Sequence, residues 1–152
     1  MFALRNCSID TNCVYEVSEQ DLLFNETPDG LLSTISSYSN LDILTEARIN
    51  GEEYAVQTIS LGDLLRKHKA PNYIDFLSVD TEGSEWDILK AFDFGSFEFG
   101  AIFVEHNYGS NRQKVSDLLI QAGYKQILSK HSRWDDWFIS RNLYDQYPYL
   151  AQ

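Results

Sequence analysis

The chain has 152 residues, of which 43% are hydrophobic and 14% aromatic, which suits one domain with a sizeable apolar core. Its 23 acidic and 12 basic residues give a formal net charge of −11, which argues against nucleic acid or an anionic membrane surface as a partner. No apolar run approaches the roughly 20 residues of a membrane-spanning helix, and no leader-like segment opens the chain, so we expect a cytoplasmic protein. Cys7 and Cys13 lack the paired spacing of a zinc site, so we expect packed thiols and assign no metal to them.

The pattern along the chain predicts one α/β domain over residues 1–152. Its first part, residues 2–59, predicts short strands at 2–5, 13–17 and 54–59. Between these strands the hydrophobic pattern weakens, and turn-forming and serine-rich stretches indicate an excursion over the surface.

Two strand–helix units follow within residues 60–140. Ser60 and Asp63 form a variant of the capping box, which predicts a helix that runs to about Lys69. The apolar run at 74–79 then predicts a buried strand, and Ser84 is expected to cap the next helix.

The second unit repeats this order. An apolar run at 101–104 predicts another buried strand, and Asn111 is expected to cap a helix that Gly123 ends. Runs at 124–128 and 137–140 predict two closing strands, and residues 141–152 form a tail.

Polar residues follow both apolar strands where each strand ends. The two clusters are Asp80-Thr81-Glu82 and Glu105-His106-Asn107. Short strand–helix connections imply parallel neighbouring strands, which would place both clusters on one rim of the sheet. Such convergence is typical of a functional site, although either cluster alone could simply cap a helix.

Several segments in a fixed order carry a family resemblance. They are TISLGDLL at 58–65, IDFLSVDTEGSE at 74–85, VEHN at 104–107, and an Arg-bearing helix leading into Gly123 and Tyr124. Together they resemble the FkbM family of S-adenosylmethionine-dependent methyltransferases over most of residues 56–140. The apolar strand followed by D-x-E-G-x-E is the most specific mark, while Gly62 stands where the family more often has an acid.

The resemblance implies a partial Rossmann-like methyltransferase fold. Its sheet would be open, mostly parallel and flanked by helices, with antiparallel closing strands at the C-terminus. The family holds its cofactor with a glycine-rich turn in the N-terminal half, and no such G-x-G turn occurs here. We therefore expect only the family's C-terminal portion, and leave open whether the chain binds the cofactor alone.

The resemblance also implies the reaction and the cofactor contacts. The reaction would transfer a methyl group from S-adenosylmethionine to an oxygen of a small-molecule or glycan substrate. Asp80 and Thr81 would lie at the methyl-bearing end of the cofactor, and Ser8 would lie near its base.

The catalytic candidates come from the same two clusters as Asp80. Glu82 and His106 are expected to orient or deprotonate the substrate, with Glu105 supporting them from behind. For His106 a purely structural hydrogen bond to Asp80 or Glu105 is an equal alternative.

Three other interpretations remain open at this stage. The chain could be a non-catalytic module whose uncovered sheet edge leads to a homodimer. It could be a phosphatase of the haloacid-dehalogenase type, with Asp80 as nucleophile and Asp135 and Asp136 as magnesium ligands. The four candidates Asp80, Glu82, Glu105 and His106 could also bind a divalent cation.

Overall fold

The computed structural model describes residues 8–41 and 43–151, which form two four-stranded sheets and the helices around them. The strands are β1 (Cys13–Tyr15), β2 (Asp21–Glu26), β3 (Thr34–Ile35), β4 (Glu52–Ser60), β5 (Tyr73–Val79), β6 (Glu98–Glu105), β7 (Tyr124–Ile127) and β8 (Asp135–Ser140). The helices are α1 (Thr45–Arg48), α2 (Leu61–Lys67), α3 (Glu85–Lys90), α4 (Arg112–Gln121) and α5 (Arg141–Gln146). Short 3-10 turns lie at Ser36–Tyr38 and Pro148–Ala151. The strand predicted at 2–5 and the thiol of Cys7 fall outside the described residues.

The first sheet has the strand order β1-β4-β2-β3 and contains the region expected as a surface excursion. That expectation is wrong for several of its residues, because Thr34, Ile35, Tyr38 and Arg48 are buried. Thr34, Tyr38 and Arg48 form hydrogen bonds with residues that follow β5. A composition of serines and turn formers does not predict such long-range contacts. Cys13 is half-buried, as expected for a packed thiol, and burial raises its pKa.

The second sheet has the order β5-β6-β8-β7 and carries the polar clusters. β5 and β6 are parallel, and the closing strands β7 and β8 are antiparallel as predicted. The expected single, mostly parallel sheet is wrong: both sheets are mixed, and among the strands of residues 8–41 and 43–151 the parallel pairs are β1–β4 and β5–β6. The short connection between β7 and β8 makes these two strands antiparallel neighbours. β8 lies between β7 and β6, and it also runs antiparallel to β6.

The main core lies between the second sheet and helices α3 and α4. Five of its side chains have no exposed surface: Leu89, Phe99, Ile102, Leu119 and Phe138. Leu119 belongs to the apolar face predicted for α4, and Gly123 ends this helix with a positive φ of 97°. These contacts hold the ends of β5 and β6 in fixed positions.

The predicted helix caps have mixed outcomes. The Ser60 hydroxyl accepts a hydrogen bond from the Asp63 amide at 3.1 Å, so the cap of α2 is confirmed. Ser84 and Asn111 stand at the N-cap positions of α3 and α4, as predicted, but neither side chain accepts a capping hydrogen bond, so that part of the two predictions is wrong. The backbone at both residues is close to helical rather than extended, which turns the side chain away from the free amides.

No helix within the described ranges is long and apolar enough to cross a membrane.

Candidate active site

Two turns meet at the rim of the second sheet. The first turn, residues 80–83, follows β5, and the second turn, residues 105–108, begins at the end of β6. Parallel pairing aligns Val79 with Val104, so both turns leave the sheet side by side. Carboxylate oxygens of Asp80, Glu82 and Glu105 all lie within 4.8 Å of one another. The structure therefore brings together three of the four predicted catalytic residues.

Glu82 is held by a buried ion pair. Its Oε2 accepts a hydrogen bond from Arg48 Nη2 at 2.7 Å, and the two side chains are 10% and 0% exposed. Asn107 Nδ2 donates to the same oxygen at 3.2 Å, and the Glu82 carbonyl accepts from the Thr34 hydroxyl at 2.9 Å. Glu82 also has a positive φ of 57°, so these contacts hold the backbone in a conformation that few non-glycine residues adopt.

The Glu85 side chain accepts hydrogen bonds from other residues of the first turn. Its Oε1 accepts hydrogen bonds from the amides of Thr81 and Gly83, both at 3.0 Å, and from the Thr81 hydroxyl at 3.1 Å. Gly83 has a φ of 121°, and a Cβ there would meet the Tyr38 side chain at 3.2 Å. Thr81, predicted to contact the cofactor, is thus engaged within its own turn.

Glu105 has a free carboxylate oxygen. Its Oε2 is buried and has no hydrogen-bond partner in the described part of the chain. Burial, the neighbouring charges of Glu82 and Asp80, and a side-chain hydrogen bond with Asp80 raise the pKa of Glu105 to about 8. This carboxyl group therefore exchanges a proton close to neutral pH, which is the property of a general acid or base.

His106 points away from the carboxylates. Its Nδ1 accepts a hydrogen bond from the Tyr108 amide at 3.1 Å, so the neutral ring carries its proton on Nε2. Burial lowers the pKa of His106, and its side chain is only 3% exposed. Nε2 lies 3.9 Å from Asp136 Oδ1, too far for a hydrogen bond, and has no other partner among the residues described. His106 presents an unused N–H donor, and no bond to Asp80 or Glu105 is seen.

Asp136, beside His106, is paired with Arg112. The guanidinium donates Nε and Nη2 to the two carboxylate oxygens, each at 2.7 Å. Burial alone would raise the pKa of Asp136, but its bonds with Arg112 bring that pKa below the usual value. Both oxygens of Asp136, one of the two magnesium ligands in the phosphatase interpretation, are therefore engaged by Arg112.

Comparison with protein families identifies the chain. The family model described as the methyltransferase FkbM domain matches residues 5–146. The chain belongs to the FkbM methyltransferase family. The match includes the first sheet, so the similarity extends well beyond residues 56–140. Comparisons with curated proteins and with solved structures gave no match.

Asp80 and Ser8 are the other two residues of this FkbM-family chain that were predicted to contact the cofactor. Asp80 is exposed at the edge of the carboxylate cluster, where it is accessible to a cofactor. Ser8 is also exposed, but no hydrogen bond joins it to the cluster within residues 8–41 and 43–151. The cluster has the oxygen ligands that a divalent cation prefers, yet Glu82 already binds Arg48 and Asn107.

A cavity of about 110 Å³ opens behind the second turn of the FkbM domain, between α3, α4 and β8. Its walls include Trp86, Glu105, His106, Arg112, Val115 and Asp136. Glu105 and His106 thus both line this cavity.

Sequence reasoning missed Arg48 and Asp136 as parts of this site. Arg48 lies in the region with the weakest pattern, and no local signal marks its pairing with a turn 34 residues later. Asp136 was considered only as a metal ligand. The pairing of Val104 with Asp136 across β6 and β8 brings it beside His106.

Proposed function

We propose that this chain takes part in S-adenosylmethionine-dependent methyl transfer to a substrate hydroxyl, with Glu105 as the general base. The observation that carries the proposal is the unpartnered Oε2 of Glu105 within a cluster of three carboxylates. The cluster stands where two parallel strands end, the place at which open α/β sheets bind their ligands.

The cluster fits the charged end of the cofactor. Asp80 and Glu82 place negative charge at the rim, Glu105 adds to it above its pKa of about 8, and a buried cation lies beside Glu82. When bound, S-adenosylmethionine supplies a methyl group whose bond to a cationic sulfur breaks as the acceptor oxygen bonds to it, leaving a neutral thioether. Carboxylates at this rim stabilise a positive sulfur and do not stabilise the neutral thioether.

Glu105 suits proton removal better than Glu82. A hydroxyl group that becomes an ether must lose its proton, and Oε2 of Glu105 has no competing partner. Glu82 is occupied by Arg48 and Asn107. We therefore propose the reverse of the predicted assignment: Glu105 accepts the proton, and Glu82 holds the turn that positions Asp80.

Calorimetric titration with S-adenosylmethionine and with S-adenosylhomocysteine, at pH 6.5 and pH 9, tests this function. The two ligands share their amino and carboxyl groups, so the ratio of their affinities isolates the sulfonium charge. Because the pKa of Glu105 is about 8, this residue gains a negative charge between these values. We expect the preference for S-adenosylmethionine to increase by roughly three- to tenfold at pH 9.

The matched variants are Glu105→Gln and Glu53→Gln. Glu53 is exposed on β4, and its substitution should leave the pH effect intact, whereas Glu105→Gln should abolish it. A folded protein that binds neither ligand, or a pH effect that survives in Glu105→Gln, would contradict the proposal.

A second candidate function, self-association, rests on the edge of the second sheet. β5 pairs only with β6 among the described strands, and Phe76 on β5 is 50% exposed. Exposed apolar edges favour pairing with another chain. Light scattering should give a dimer mass that Phe76→Lys converts to a monomer and Leu23→Lys, at an exposed position of the first sheet, does not. A monomeric wild-type protein would exclude this candidate.

A further inference from the structure

A second cavity lies at the end of the second sheet that is opposite the carboxylate cluster. It opens between the starts of β5 and β6, the end of α4 and the start of α5, and its volume is about 470 Å³. Glu98, the first residue of β6, lines it, whereas Glu105 of the cluster is the last residue of that strand. β6 has 8 residues, and at about 3.3 Å per residue its two ends lie roughly 23 Å apart. The second cavity is therefore separate from the candidate active site.

Two opposite charges line the second cavity and do not pair with each other. Arg141, the first residue of α5, is exposed, and its guanidinium makes no hydrogen bond or ion pair within residues 8–41 and 43–151. Glu98 is half-buried, and its Oε1 accepts a hydrogen bond from Asn142 Nδ2 at 3.3 Å. Its Oε2 has no partner in the described part of the chain. The cavity thus offers a guanidinium to an anion and a carboxylate oxygen to a cation.

Aromatic rings form much of the remaining wall of the second cavity. Tyr73 is 48% exposed, and Phe94, Phe97 and Tyr124 line the same space. The rings of Phe94 and Tyr124 already meet edge to face, with centroids 6.0 Å apart. Such rings readily pack against a further aromatic ring, and a volume of about 470 Å³ falls within the roughly 300–1,000 Å³ of small-molecule sites. The wall therefore suits a ligand with an aromatic group.

The charges limit the ligand further. The formal net charge of −11 repels a simple anion, and a simple cation would lie beside Arg141 as well as Glu98. A zwitterion suits both side chains, because a carboxylate can bind a guanidinium at two points and an ammonium group can donate to Glu98. An α-amino acid carries both charged groups and its side chain on one carbon atom.

We propose that the second cavity binds an α-amino acid with an aromatic side chain. The α-carboxylate binds Arg141, the α-ammonium group donates to Glu98 Oε2, and the ring packs among Tyr73, Phe94 and Phe97. This site does not depend on the proposed methyl transfer, because it uses no residue of the carboxylate cluster.

Calorimetric titration of the full chain with L-phenylalanine tests the site, and we expect saturable binding. L-Phenylalaninamide lacks the carboxylate and N-acetyl-L-phenylalanine lacks the ammonium group, so each should bind about tenfold more weakly. L-Alanine lacks the ring and should also bind about tenfold more weakly. Undiminished binding of the amide or of the acetyl derivative would identify the end of a peptide as the ligand and overturn the free amino acid.

Substitution of the two charged residues locates the bound amino acid. Arg141→Gln should weaken the binding of L-phenylalanine about tenfold and leave that of the amide unchanged, because the amide has no carboxylate. Glu98→Gln should weaken L-phenylalanine similarly and leave the acetyl derivative unchanged. The controls Arg133→Gln, in the turn between β7 and β8, and Glu53→Gln are exposed elsewhere and should change nothing. Thermal melting establishes that each variant is folded.

S-Adenosylhomocysteine distinguishes this site from a cofactor site, because it also ends in an α-amino acid. L-Phenylalanine should bind equally well when S-adenosylhomocysteine is present in excess. Displacement by S-adenosylhomocysteine, no saturable binding of L-phenylalanine, or binding that Arg141→Gln leaves unchanged overturns the amino-acid site. A folded chain that binds L-phenylalanine through Arg141 but does not bind S-adenosylmethionine supports the amino-acid site and overturns the proposed function alone.

Discussion

The two turns at the rim of the second sheet contain similar residues but differ in how their polar atoms are used. In the first turn the carboxylate of Glu82 binds Arg48 and Asn107, and the carboxylate of Glu85, at the start of α3, binds backbone amides of the turn. In the second turn Glu105 Oε2 and His106 Nε2 have no partner among the described residues. The D-x-E-G-x-E motif is the clearest mark of the family. Both of its later acids, Glu82 and Glu85, stabilise the conformation of the first turn. The groups without partners lie in the tripeptide Glu105-His106-Asn107 at the end of β6.

Removal of Arg48, the cation paired with Glu82 of the first turn, should cause the largest loss in the free energy of unfolding. Arg48→Met leaves the Glu82 carboxylate buried without its ion pair, and we expect a loss of about 3–5 kcal/mol in the free energy of unfolding. Urea denaturation measures this change. Arg66→Met is the control, because Arg66 is 59% exposed in its pair with Asp63 and should cost less than about 1 kcal/mol. Similar losses in both variants would show that the first turn does not depend on its ion pair.

Asn107 joins the two turns, and its removal should have the next largest effect. Asn107→Ala removes a buried hydrogen bond to a carboxylate, which costs about 1.5–3 kcal/mol. Because Asn107 has a positive φ of 39°, Asn107→Gly should lose less than Asn107→Ala. The exposed control Asn142→Ala should change stability by less than about 0.5 kcal/mol. Equal losses for the alanine and glycine variants would mean that the backbone conformation contributes nothing.

Substitution of the free acid in the second turn should stabilise the fold. The pKa of Glu105 is raised from 4.5 to about 8, so the folded protein keeps a proton that the unfolded chain has released. Stability therefore falls as pH rises from about 4.5 to 8, and Glu105→Gln removes this dependence. After allowance for solvent screening we expect a gain of about 1–2 kcal/mol at pH 8.5 and almost none at pH 4.5.

Thermal melting at both pH values measures the gain of Glu105→Gln. Glu53→Gln, at an exposed position of β4, should have no effect at either value. A gain of equal size at pH 4.5 and pH 8.5 would show that ionisation of Glu105 is not its cause.

The exposed acid at the edge of the cluster should contribute to binding and not to stability. Asp80→Asn should change the unfolding free energy by less than about 0.5 kcal/mol, because Asp80 is exposed. Its loss should weaken the binding of S-adenosylmethionine about threefold and leave the binding of S-adenosylhomocysteine unchanged, since only S-adenosylmethionine carries a positive charge on sulfur. Asp75→Asn, at an exposed position within β5, is the matched control for calorimetry. An equal loss for both ligands would indicate that Asp80 does not interact with the sulfonium.

Much of the second sheet could be predicted because its signals are local. The apolar runs of β5 and β6, the Ser60 cap and the face of α4 ending at Gly123 depend on residues a few positions apart. The same reasoning located β1 and β4 of the first sheet, which were predicted at 13–17 and 54–59, but it failed for β2 and β3, because β2 pairs with residues of β4 that are far from it in the chain. Asn25, for example, pairs with Glu53. It also failed for the capping hydrogen bonds at Ser84 and Asn111. Both residue types are suited to an N-cap, but the backbone conformation at these positions turns the side chain away from the free amides.

The sequence by itself determined the family, the order of the strand–helix units of the second sheet, and which residues stand after β5 and β6. Only the tertiary structure decided their roles. Arg48 reaches Glu82 across 34 residues, and β8 brings Asp136 beside His106. Whether a carboxylate serves the fold or the chemistry depends on the partners that packing places within hydrogen-bond distance, and those partners come from distant parts of the chain.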